Sequence, residues 1–332
     1  MIAITLGDPF SINIATVRPM LDAACKFPVV LIGSLWHWHD QLYRSGQTAP
    51  ELAGCDQLNQ VPTRAGLYFI DIGGKQVPAE LLDPRERGEI AVKALQLLSG
   101  FPANRAVAVL TCPIDKYACA LAGLQFPGQT EYFENLWKGS GIMFLCGSRL
   151  RVGLITNHLP LSAVEANISK ELIAEKVARA AETLTQVLGI KNPRIAVCGL
   201  NPHCGDHGLF GDFDQRVVEP AITALKSHYG VSGPYPADTI FWKALNGQFD
   251  CVLAMYHDQG LGPLKTVHFD DAINITGGLQ HLRVSPDHGP AQDLFLTAKA
   301  SSASFKLCWQ LVNSYMAQTG LPGLQPPDVE AR

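Results

Sequence analysis

Short apolar runs alternate with longer amphipathic stretches along the whole chain. Seven runs of β-branched and aliphatic residues predict buried strands, at residues 2–6, 29–32, 67–72, 106–110, 152–156, 195–198 and 252–256. Between them, apolar residues recur at helical spacing at residues 88–98, 161–188, 216–229 and 304–316. The longest of these stretches stops at Gly189, a residue typical of a helix C-terminus. The alternation predicts an α/β protein with a mostly parallel sheet.

Three of the predicted strands run into a histidine. His158, His203 and His257 follow the runs that begin at residues 152, 195 and 252. Since the carboxyl ends of parallel strands open at one edge of a sheet, these imidazoles are expected to lie close together. Three imidazoles suit a divalent metal ion, whereas a single loop histidine more often makes a hydrogen bond, and the pattern leaves both interpretations open. Asp258 is a candidate metal ligand or a partner for the ring of His257.

Composition narrows the class of protein. The 332 residues are 47% apolar and 17% charged, enough for a large core and for two lobes, and the formal net charge is −4. The acidic balance argues against non-specific nucleic-acid binding. No apolar stretch is long enough to span a bilayer, and the first residues lack the basic segment of a secretory signal. We therefore expect a cytoplasmic protein that binds neither nucleic acid nor membranes.

Nine cysteines are scattered through the chain without a C-x-x-C pair. Their odd number, and the position of several within apolar runs, favour reduced and buried thiols. Cys204 directly follows His203, where it is a candidate soft metal ligand or a residue of the loop.

Polar residues around the later strands supply candidate ligand contacts. Lys265 and Arg283 would bind an anionic substrate beside a metal, or are ordinary surface charges. Asp238 is a candidate base or the N-cap of a helix. Backbone amides at residues 128–130 would suit a phosphate or carboxylate, and the loop Asp287-His288-Gly289 offers amides to another ligand. No G-x-G-x-x-G or G-x-x-x-x-G-K-[ST] motif occurs, so a dinucleotide would need another device.

Five motifs together resemble one enzyme family. They are Thr156-Asn-His-Leu-Pro-Leu161, Cys198-Gly-Leu-Asn-Pro-His203, Gly233-Pro-Tyr-Pro-Ala-Asp-Thr239, Ala254-Met-Tyr-His-Asp-Gln-Gly260 and Asn274-Ile-Thr-Gly-Gly-Leu279. With Arg283 and Asp287-His-Gly289, they are similar to the 4-hydroxythreonine-4-phosphate dehydrogenase (PdxA) family. The similarity runs over residues 105–291, and the preceding residues agree only in general layout.

The resemblance implies the fold of the isocitrate and isopropylmalate dehydrogenases. That fold has two α/β lobes with mostly parallel sheets, a central cleft, and a homodimer with shared active sites. We expect residues 1–125 and 275–332 to form the lobe on the nucleotide side, and residues 126–274 to form the lobe with metal, substrate and dimer contacts. The implied reaction is oxidation of a secondary alcohol with NAD as hydride acceptor, or with NADP, followed by decarboxylation of the β-keto acid.

The resemblance also implies roles for individual residues. His158 and His203 of one subunit and His257 of its partner would hold a divalent metal, which is Zn, Co, Mn or Mg. Lys265 and Asp238 are the implied catalytic residues. The implied substrate contacts are Gln129, Thr130, Lys265, Asn274 and Arg283, and the implied cofactor contacts are Asp287, His288 and Gly289.

Three segments depart from the family pattern. Near the N-terminus, G-[DE]-P-[AS]-G-[IV]-G-P reads Gly7-Asp-Pro-Phe-Ser-Ile-Asn-Ile14, so Ser11 and Asn13 replace glycines. G-H-T reads Gly128-Gln129-Thr130, so an amide replaces an imidazole. After Asp287-His-Gly289, A-G-[KR]-G reads Phe295-Leu-Thr-Ala298. Side chains therefore stand where a backbone would otherwise approach closely, and this alters the expected nucleotide contacts.

Several substrates agree with this pattern. The first expectation is 4-phosphohydroxy-L-threonine, in the biosynthesis of pyridoxal 5'-phosphate (vitamin B6). A paralogue that oxidises threonate or erythronate 4-phosphate is the close alternative. A dihydrodiol carboxylate dehydrogenase is more remote, because Thr130 and Arg283 suit phosphorylated substrates. The alternative of a different class is a catalytically impaired homologue that binds metal or a small acid but transfers hydride poorly.

Overall fold

The structure of the protein is a computed structural model that describes residues 1–22, 25–101 and 107–320, with side chains up to residue 318. Within these ranges the chain forms twelve strands and ten α-helices, numbered here in chain order. The strands are β1 (Ile2–Thr5), β2 (Pro28–Gly33), β3 (Ala53–Gly54), β4 (Gly66–Asp71), β5 (Ala108–Thr111), β6 (Ile142–Cys146), β7 (Arg151–Leu154), β8 (Ile195–Cys198), β9 (Val231–Tyr235), β10 (Cys251–Ala254), β11 (Ile273–Gly277) and β12 (Leu282–Pro286). The helices are α1 (Asn13–Val17), α2 (Leu35–Arg44), α3 (Pro84–Leu97), α4 (Lys116–Leu121), α5 (Gln129–Leu136), α6 (Lys170–Glu182), α7 (Glu219–Leu225), α8 (Ala237–Leu245), α9 (His257–Val267) and α10 (Ala303–Gly320).

The chain divides into two compact units, each of which contains six of the twelve strands. The first unit contains Met1–Lys138 and the chain from His281 onward, and the second contains Gly139–Gln280. The expected lobe boundaries, 125/126 and 274/275, both lie earlier in the chain than the boundaries between these units, which fall at 138/139 and 280/281. Helix α5 follows the first of these boundaries, yet its Phe133 is fully buried in the first unit. Residues 321–332, the end of the expected first lobe, lie outside the described residues.

The sheet of the first unit is parallel throughout. Its strand order is β3-β4-β2-β1-β5-β12. Every residue of β1, β2 and β5 is buried, which explains why these strands are continuous apolar runs. Polar residues therefore come only where the strands end, and Asp8 and Asp115 follow β1 and β5 at the same edge. This edge carries the candidate groups of the first unit.

The sheet of the second unit is mixed. Its order is β11-β6-β7-β10-β8-β9, in which β7, β10, β8 and β9 run parallel and β6 is antiparallel to both of its neighbours. The parallel strands β7, β10 and β8 are those that precede His158, His257 and His203. The predicted α/β class with mostly parallel strands is confirmed.

Local sequence explains how helix α3 begins. Asp83 accepts a hydrogen bond from the amide of Glu86, whose carboxylate accepts one from the amide of Asp83 in return. Pro84 occupies the first helical position, where its missing N–H costs nothing. The helix buries Ile90, Ala91 and Leu95 and crosses α4 at Gly88, where a Cβ atom would lie 1.9 Å from the carbonyl oxygen of Ala118. Only glycine permits this close crossing.

The single helix predicted at residues 161–188 is wrong over its first turns. Leu161–Ala163 and Glu165–Asn167 form two short 3-10 turns, and Ile168 is extended. Helix α6 begins only after Ser169, whose hydroxyl accepts the amide hydrogen of Leu172 as an N-cap. The predicted stop is confirmed, because the last turn ends at Gly189 with a φ of 69°.

Sequence patterns missed the strands that lack a simple apolar run. Strand β9 contains Gly233 and Pro234 and lies at the edge of its sheet, where proline is tolerated. Strand β12 contains the buried Arg283, which interrupts the apolar pattern. Strands β3, β6 and β11 were also not predicted. Residue 106, the start of the predicted strand 106–110, lies outside the described residues, and β5 begins at Ala108.

The cysteines agree with the expectation of buried thiols. No disulfide joins any of the nine, and six are buried: Cys112, Cys119, Cys146, Cys198, Cys251 and Cys308. Burial raises the pKa of each of these six thiols above the ordinary value of 9.0. None of the helices in the described ranges is long and apolar enough to cross a membrane.

Candidate active site

Hydrogen bonds fasten the carboxyl ends of three strands in the second unit. The amide and the hydroxyl of Thr156, after β7, both donate to the carbonyl oxygen of Met255, after β10, at 3.2 and 2.7 Å. The side chain of Gln259 accepts the amide hydrogen of Met255 at 2.7 Å and donates to the carbonyl oxygen of Gly199, after β8, at 2.9 Å. These cross-links hold the three segments that carry the candidate histidines.

His158 and His257 lie next to each other at this edge. Their ring centres are 5.5 Å apart, with an angle of 40° between the ring planes. His257 is the first residue of α9, and its Nδ1 is 2.8 Å from a carboxylate oxygen of the exposed Asp258. Asp258 therefore fits its expected part as a partner of the His257 ring. Asn157 adds a buried amide oxygen that has no hydrogen-bond partner among the described residues.

His203 lies on a left-handed turn. From His203 to Gly208 every residue has a positive φ, and four of them are not glycine: His203, Cys204, Asp206 and His207. Left-handed backbone costs roughly 1–2 kcal/mol for each such residue, so the turn persists only because surrounding contacts hold it. At Gly205 a Cβ atom would lie 2.4 Å from the carbonyl oxygen of Gly211, which requires glycine there. Strain of this kind is often found at functional sites.

A buried carboxylate holds the entry to this turn. Both oxygens of Asp214 accept backbone hydrogens, one from Leu200 at 2.7 Å and one from Asn201 at 3.0 Å. The side chain of Asp214 is completely buried. The segment between β8 and His203 is thus fixed by charge-assisted hydrogen bonds.

Cys204 packs against the backbone of its own loop. Its pKa is raised to about 11, first by burial and then by the carboxylates of Asp214, Glu219 and Asp238, so the thiol stays protonated. A Cβ atom on Gly199 would lie 2.8 Å from its sulfur, so the thiol packs against the loop backbone. This packing agrees with the interpretation of Cys204 as a loop residue.

The histidine pair has the spacing that a metal needs. Metal–nitrogen bonds of about 2.0–2.1 Å put the ring centres of two imidazoles on one ion roughly 4.5–5.5 Å apart. The pair formed by His158 and His257 falls in this range. Among the described residues of one chain, no group of three or more His, Cys, Asp or Glu side chains could hold a metal ion. The structure pairs His158 with His257 in one chain, and the division of the triad between subunits stays a prediction.

The other candidate residues of the second unit are spread over three elements. Lys265 is half-buried on α9, eight residues after His257, with its ammonium nitrogen 5.9 Å from the ring centre of Phe269. Asn274 on β11 has a buried amide oxygen without a partner among the described residues. Asp238 is exposed in the first turn of α8 and makes no capping hydrogen bond, since Pro236 occupies the N-cap position. The interpretation of Asp238 as an N-cap is wrong.

In the first unit, Arg283 forms a buried cationic centre. Its Nε and Nη2 atoms donate to the hydroxyl of Thr111 at 3.0 and 2.8 Å, and its guanidinium lies 5.8 Å from the ring centre of Phe133. Burial lowers the pKa of Arg283 to about 10, so it remains a cation at neutral pH. Thr130 is buried at the start of α5, which begins after the extended Gly128.

Gln129 is bound to the protein on one side only. Its amide nitrogen donates to the carbonyl oxygen of Cys112 at 3.1 Å. Its buried amide oxygen has no partner among the described residues, so it is available as an acceptor. A hydroxyl or an ammonium group of a ligand would satisfy this oxygen.

The loop after β12 borders a cavity of about 520 Å³. One side consists of Gly289–Asp293 and the other of Ile114, Asp115 and Lys116. His288 donates from Nδ1 to the carbonyl oxygen of Gly289 at 2.8 Å, which leaves Nε2 as an acceptor. This buried Nε2 atom has no partner among the described residues. Of the expected cofactor contacts, Gly289 lines the cavity directly.

The altered N-terminal segment is held by its own side chains. The Asn13 amide donates to the carbonyl oxygens of Leu6 and Pro113, both at 2.9 Å, and so joins the ends of β1 and β5. The Ser11 hydroxyl donates to the carbonyl oxygen of Asp8. Gly7 keeps a φ of 65°, and a Cβ atom there would lie 2.2 Å from the Pro113 oxygen. Asn13 and Ser11 are therefore buried parts of the loop framework.

An ion-pair cluster lies beside this segment. The carboxylate of Asp8 is buried and 2.9 Å from Arg87, which is also 3.7 Å from Asp115. Burial raises the pKa of Asp8 to about 6, and the charge of Arg87 opposes this shift without cancelling it. Asp115 caps α4 through the amides of Tyr117 and Ala118 and also accepts a hydrogen bond from Gln292 at 3.3 Å.

Comparison with known proteins gives the family. The family model described as "Pyridoxal phosphate biosynthetic protein PdxA" matches residues 40–312. The chain belongs to the PdxA family. The matched range includes every candidate metal, substrate and cofactor residue, whereas the altered Gly7–Ile14 segment precedes it.

Relatives of this PdxA family member carry two substrate names. The chain is 38% identical to a 4-hydroxythreonine-4-phosphate dehydrogenase from Trichlorobacter lovleyi, over 92% of this chain and 94% of that protein. It is 36% identical to a D-threonate 4-phosphate dehydrogenase from Salmonella typhimurium, over 93% of this chain and 98% of that protein. A match to a 4-hydroxythreonine-4-phosphate dehydrogenase from Desulfosudis oleivorans reaches 46% identity, but it covers only 59% of each chain.

A solved structure shares the same architecture. A 4-hydroxythreonine-4-phosphate dehydrogenase from Klebsiella pneumoniae superposes with a TM-score of 0.79 at 34% identity, over 95% of this chain and 97% of that one. This likeness extends through both units of the PdxA family member.

Sequence reasoning missed four residues of the candidate site. Gln259 and Asp214 fix the backbone around the candidate histidines. Asn157, just before His158, has a buried amide oxygen without a partner among the described residues. Thr111 accepts hydrogen bonds from Arg283. Asn157 and Gln259 lie in the same sequence motifs as His158 and His257, and this position is the signal that could have identified them. No sequence signal pointed to Asp214 or Thr111, since each acts through a partner distant in the chain.

Proposed function

We propose that the protein oxidises a small phosphorylated hydroxy acid with NAD and a divalent metal. The observation that carries this proposal is the pair of imidazoles, His158 and His257, at cross-linked strand ends of a PdxA family member. The proposed substrate is 4-phosphohydroxy-L-threonine, whose secondary alcohol is oxidised and whose β-keto acid then loses carbon dioxide. The reaction would serve the synthesis of pyridoxal 5'-phosphate.

The proposed metal ligands are His158, His203 and His257. A divalent ion held there would polarise the substrate alcohol and stabilise the enolate charge of decarboxylation. Asp258 orients the ring of His257 through its hydrogen bond to Nδ1. Gln259 and Asp214 keep the loops of His257 and His203 in place before any ligand binds. The donor set of neutral imidazoles suits Zn, Co or Mn, with Mg as a further candidate.

The proposed anion contacts are Arg283 and Thr130. Arg283 is held by Thr111 and buried, so its charge acts in a medium of low polarity, where a carboxylate or phosphate gains the most from it. The orphan oxygens of Gln129 and Asn274 are proposed to accept hydrogens from the substrate's hydroxyl or ammonium groups.

Lys265 is the proposed proton carrier for the alcohol, with Asp238 as a second candidate acid or base. Lys265 lies two turns along the helix that begins at His257, which puts it about 12 Å further along the helix axis. Asp238 is exposed to solvent, and it would exchange protons with water.

NAD, the proposed hydride acceptor, is assigned to the cavity beside Gly289. Its volume of about 520 Å³ falls in the range of small-molecule sites. His288 presents a buried acceptor nitrogen that a ribose hydroxyl or an amide group would satisfy. The cavity wall carries Lys116 together with the carboxylates Asp115 and Asp293, and Lys116 is the proposed contact for the phosphates of the dinucleotide.

A substrate panel tests the proposal. Purified protein, treated with chelator and reloaded with Mg, Mn, Co or Zn, is assayed for NADH absorbance and released carbon dioxide. We expect turnover of 4-phosphohydroxy-L-threonine with NAD, and loss of turnover after chelation. The dephosphorylated compound is the control and should react far more slowly. Metal binding without NADH formation from any phosphorylated hydroxy acid would overturn the enzyme function.

D-threonate 4-phosphate is the second candidate substrate. It is favoured by the D-threonate 4-phosphate dehydrogenase of Salmonella typhimurium, which matches this chain over 93% of its length. The two substrates differ in an ammonium against a hydroxyl group beside the carboxylate, and both groups can donate to Gln129 or Asn274. The ratio of kcat/KM for the two compounds decides between them, with erythronate 4-phosphate as the epimeric control.

A homodimer with shared sites is part of the proposal. If His257 also completes the site of the neighbouring subunit, His158→Ala and His257→Ala proteins should each be inactive, and their mixture should regain part of the activity. Native mass spectrometry of the mixed species verifies subunit exchange. Exchange without any recovered activity would contradict the shared site.

A further inference from the structure

Two of the three altered segments are in contact. Phe10 and Phe295 pack edge to face, with ring centres 4.9 Å apart and ring planes at 80°. Phe10 belongs to the Gly7–Ile14 segment, and Phe295 follows the Gly289–Asp293 wall of the cavity. The amide of Ile12 donates to the carbonyl oxygen of Pro290 at 3.1 Å, which joins the same segments a second time. These two departures from the family pattern are thus in direct contact, whereas the third, at Gln129, is not part of this contact.

Two arginines extend this contact on either side. The guanidinium of Arg87 lies 5.5 Å from the ring centre of Phe10, and that of Arg44 lies 5.8 Å from the ring centre of Phe295. Arg87 is ion-paired with Asp8, and Arg44, the last residue of α2, is ion-paired with Glu80. The Phe10–Phe295 pair is therefore supported by charged groups anchored elsewhere in the unit.

The cavity wall needs such support. Ala291 and Leu296 both have positive φ values, 48° and 55°, although neither is glycine. Backbone in this region persists only when neighbouring contacts over-determine it. Besides the two contacts with the Gly7–Ile14 segment, Gln292 donates to Asp115 across the cavity at 3.3 Å. Phe10 and Ile12 contact Phe295 and Pro290, so they hold positions of the loop other than Gln292, which Asp115 binds.

We propose that Phe10 is a positioning residue for the nucleotide: through Phe295 and beside the Ile12–Pro290 hydrogen bond, it fixes the Gly289–Asp293 wall in the conformation that binds NAD. This rests on the assignment of NAD to the cavity. In the described part of the chain, the Phe10 ring lies against Phe295 and Arg87, neither of which is a proposed metal ligand or substrate contact, so its influence should fall on the nucleotide alone.

The test compares Phe10→Ala, Phe295→Ala and the double variant, with Tyr43→Ala as control. Tyr43 is 86% exposed in the same unit, and its loss removes a ring without touching the cavity wall. The dissociation constant of NADH, measured by fluorescence without substrate, should rise about two- to tenfold in Phe10→Ala, the range expected for one lost aromatic pair. The KM for NAD should rise in parallel, while kcat and the KM for the phosphorylated substrate stay within about twofold of wild type.

Two further measurements separate positioning from general damage. Amide hydrogen exchange of peptides covering residues 288–296 should quicken in nucleotide-free Phe10→Ala, and Phe10→Tyr should restore both exchange and affinity. The double variant should bind NADH no more weakly than Phe295→Ala, because both changes remove one contact. If Phe10→Ala does not fold, Phe10→Leu, which keeps the bulk without the aromatic ring, is judged by the same criteria.

The outcomes distinguish this inference from the proposed function. A wild-type protein that binds NADH, with Phe10→Ala and Phe10→Leu binding it equally well, overturns the positioning role alone. The same holds if the double variant shows additive losses, or if kcat and both KM values change together. A wild-type protein that neither binds NADH nor oxidises any phosphorylated hydroxy acid overturns the proposed function and this inference with it.

Discussion

Asp214 holds the two residues that lead into the left-handed turn of His203. We consider the replacement Asp214→Ala. It removes both acceptors for the amides of Leu200 and Asn201, at 2.7 and 3.0 Å, while the backbone around them stays buried or half-buried. The turn that follows contains four non-glycine residues in left-handed conformation. Its strain has to be balanced by contacts such as these.

The magnitude follows from the two bonds. A hydrogen bond to a charged group contributes about 1.5–3 kcal/mol, so the pair is worth roughly 3–6 kcal/mol. Water that enters the space of the lost carboxylate recovers part of this, and we expect a loss near the lower end, about 3 kcal/mol. At about 1.4 kcal/mol for each factor of ten, local opening of the segment becomes roughly 100-fold more frequent. Asp214→Asn retains one acceptor oxygen and should show about half of the free-energy loss.

Peptide-resolved amide hydrogen exchange of metal-free protein measures this opening. Peptides that cover residues 199–211 should exchange faster in Asp214→Ala, while those of β10 should not change. Asp212→Ala is the matched control, since the Asp212 side chain is 71% exposed and only 3.5 Å from Arg216 in a surface ion pair. Isothermal titration with Co²⁺ should show weaker binding by Asp214→Ala. Exchange and Co²⁺ affinity that both match Asp212→Ala would refute the idea that Asp214 holds the turn for His203.

Three further predictions follow from other contacts. Gly88→Ala should lower the free energy of unfolding by at least about 2 kcal/mol in denaturant titrations, because its Cβ atom would lie 1.9 Å from the Ala118 oxygen. The control is Gly100→Ala, whose Cβ atom would have no atom within 4 Å, and it should stay within about 0.5 kcal/mol of wild type. Burial raises the pKa of Asp8 from 3.8 to about 6, so between these pH values the folded chain keeps a proton that the unfolded chain releases. The contribution of Asp8 to the free energy of unfolding should therefore fall as pH rises from about 4 to about 6. That fall should be missing in Asp8→Asn, and equal pH profiles of the two proteins would contradict this. Gln259→Met, which breaks the link between Met255 and Gly199, should weaken Co²⁺ binding about 10- to 100-fold in isothermal titration, and unchanged affinity would argue against its positioning role.

The sequence predicted those parts of the site that follow from strand patterns. His158 and His257 were expected together because each follows an apolar run, and parallel strands deliver such residues to one edge. The conformation at His203 was not predictable, since His, Cys and Asp do not indicate a left-handed backbone as a row of glycines would. Strand β12 was not predicted because it contains Arg283, and a buried arginine interrupts the apolar pattern that identifies a buried strand.

Contacts between segments that are far apart in the chain could not be predicted from the sequence either. The departures at Phe10 and Phe295 were visible as separate changes, but their packing depends on how β1 and β12 are arranged in one sheet. Likewise, Asn13 in place of a glycine suggested a blocked loop, whereas its amide joins the ends of β1 and β5. The sequence shows where these residues stand in the chain, but only the folded structure shows which residues they contact.

The buried cysteines give this protein a set of internal reporters. Cys112, Cys119 and Cys308 belong to the first unit, and Cys146, Cys198 and Cys251 belong to the second. Since only a thiolate reacts with an alkylating reagent, and burial keeps these thiols protonated, each can be modified only after its surroundings open. The rate at which each cysteine gains mass therefore reports how often its own unit opens. Native chemistry alone can thus compare the stability of the two units, without any label introduced by mutation.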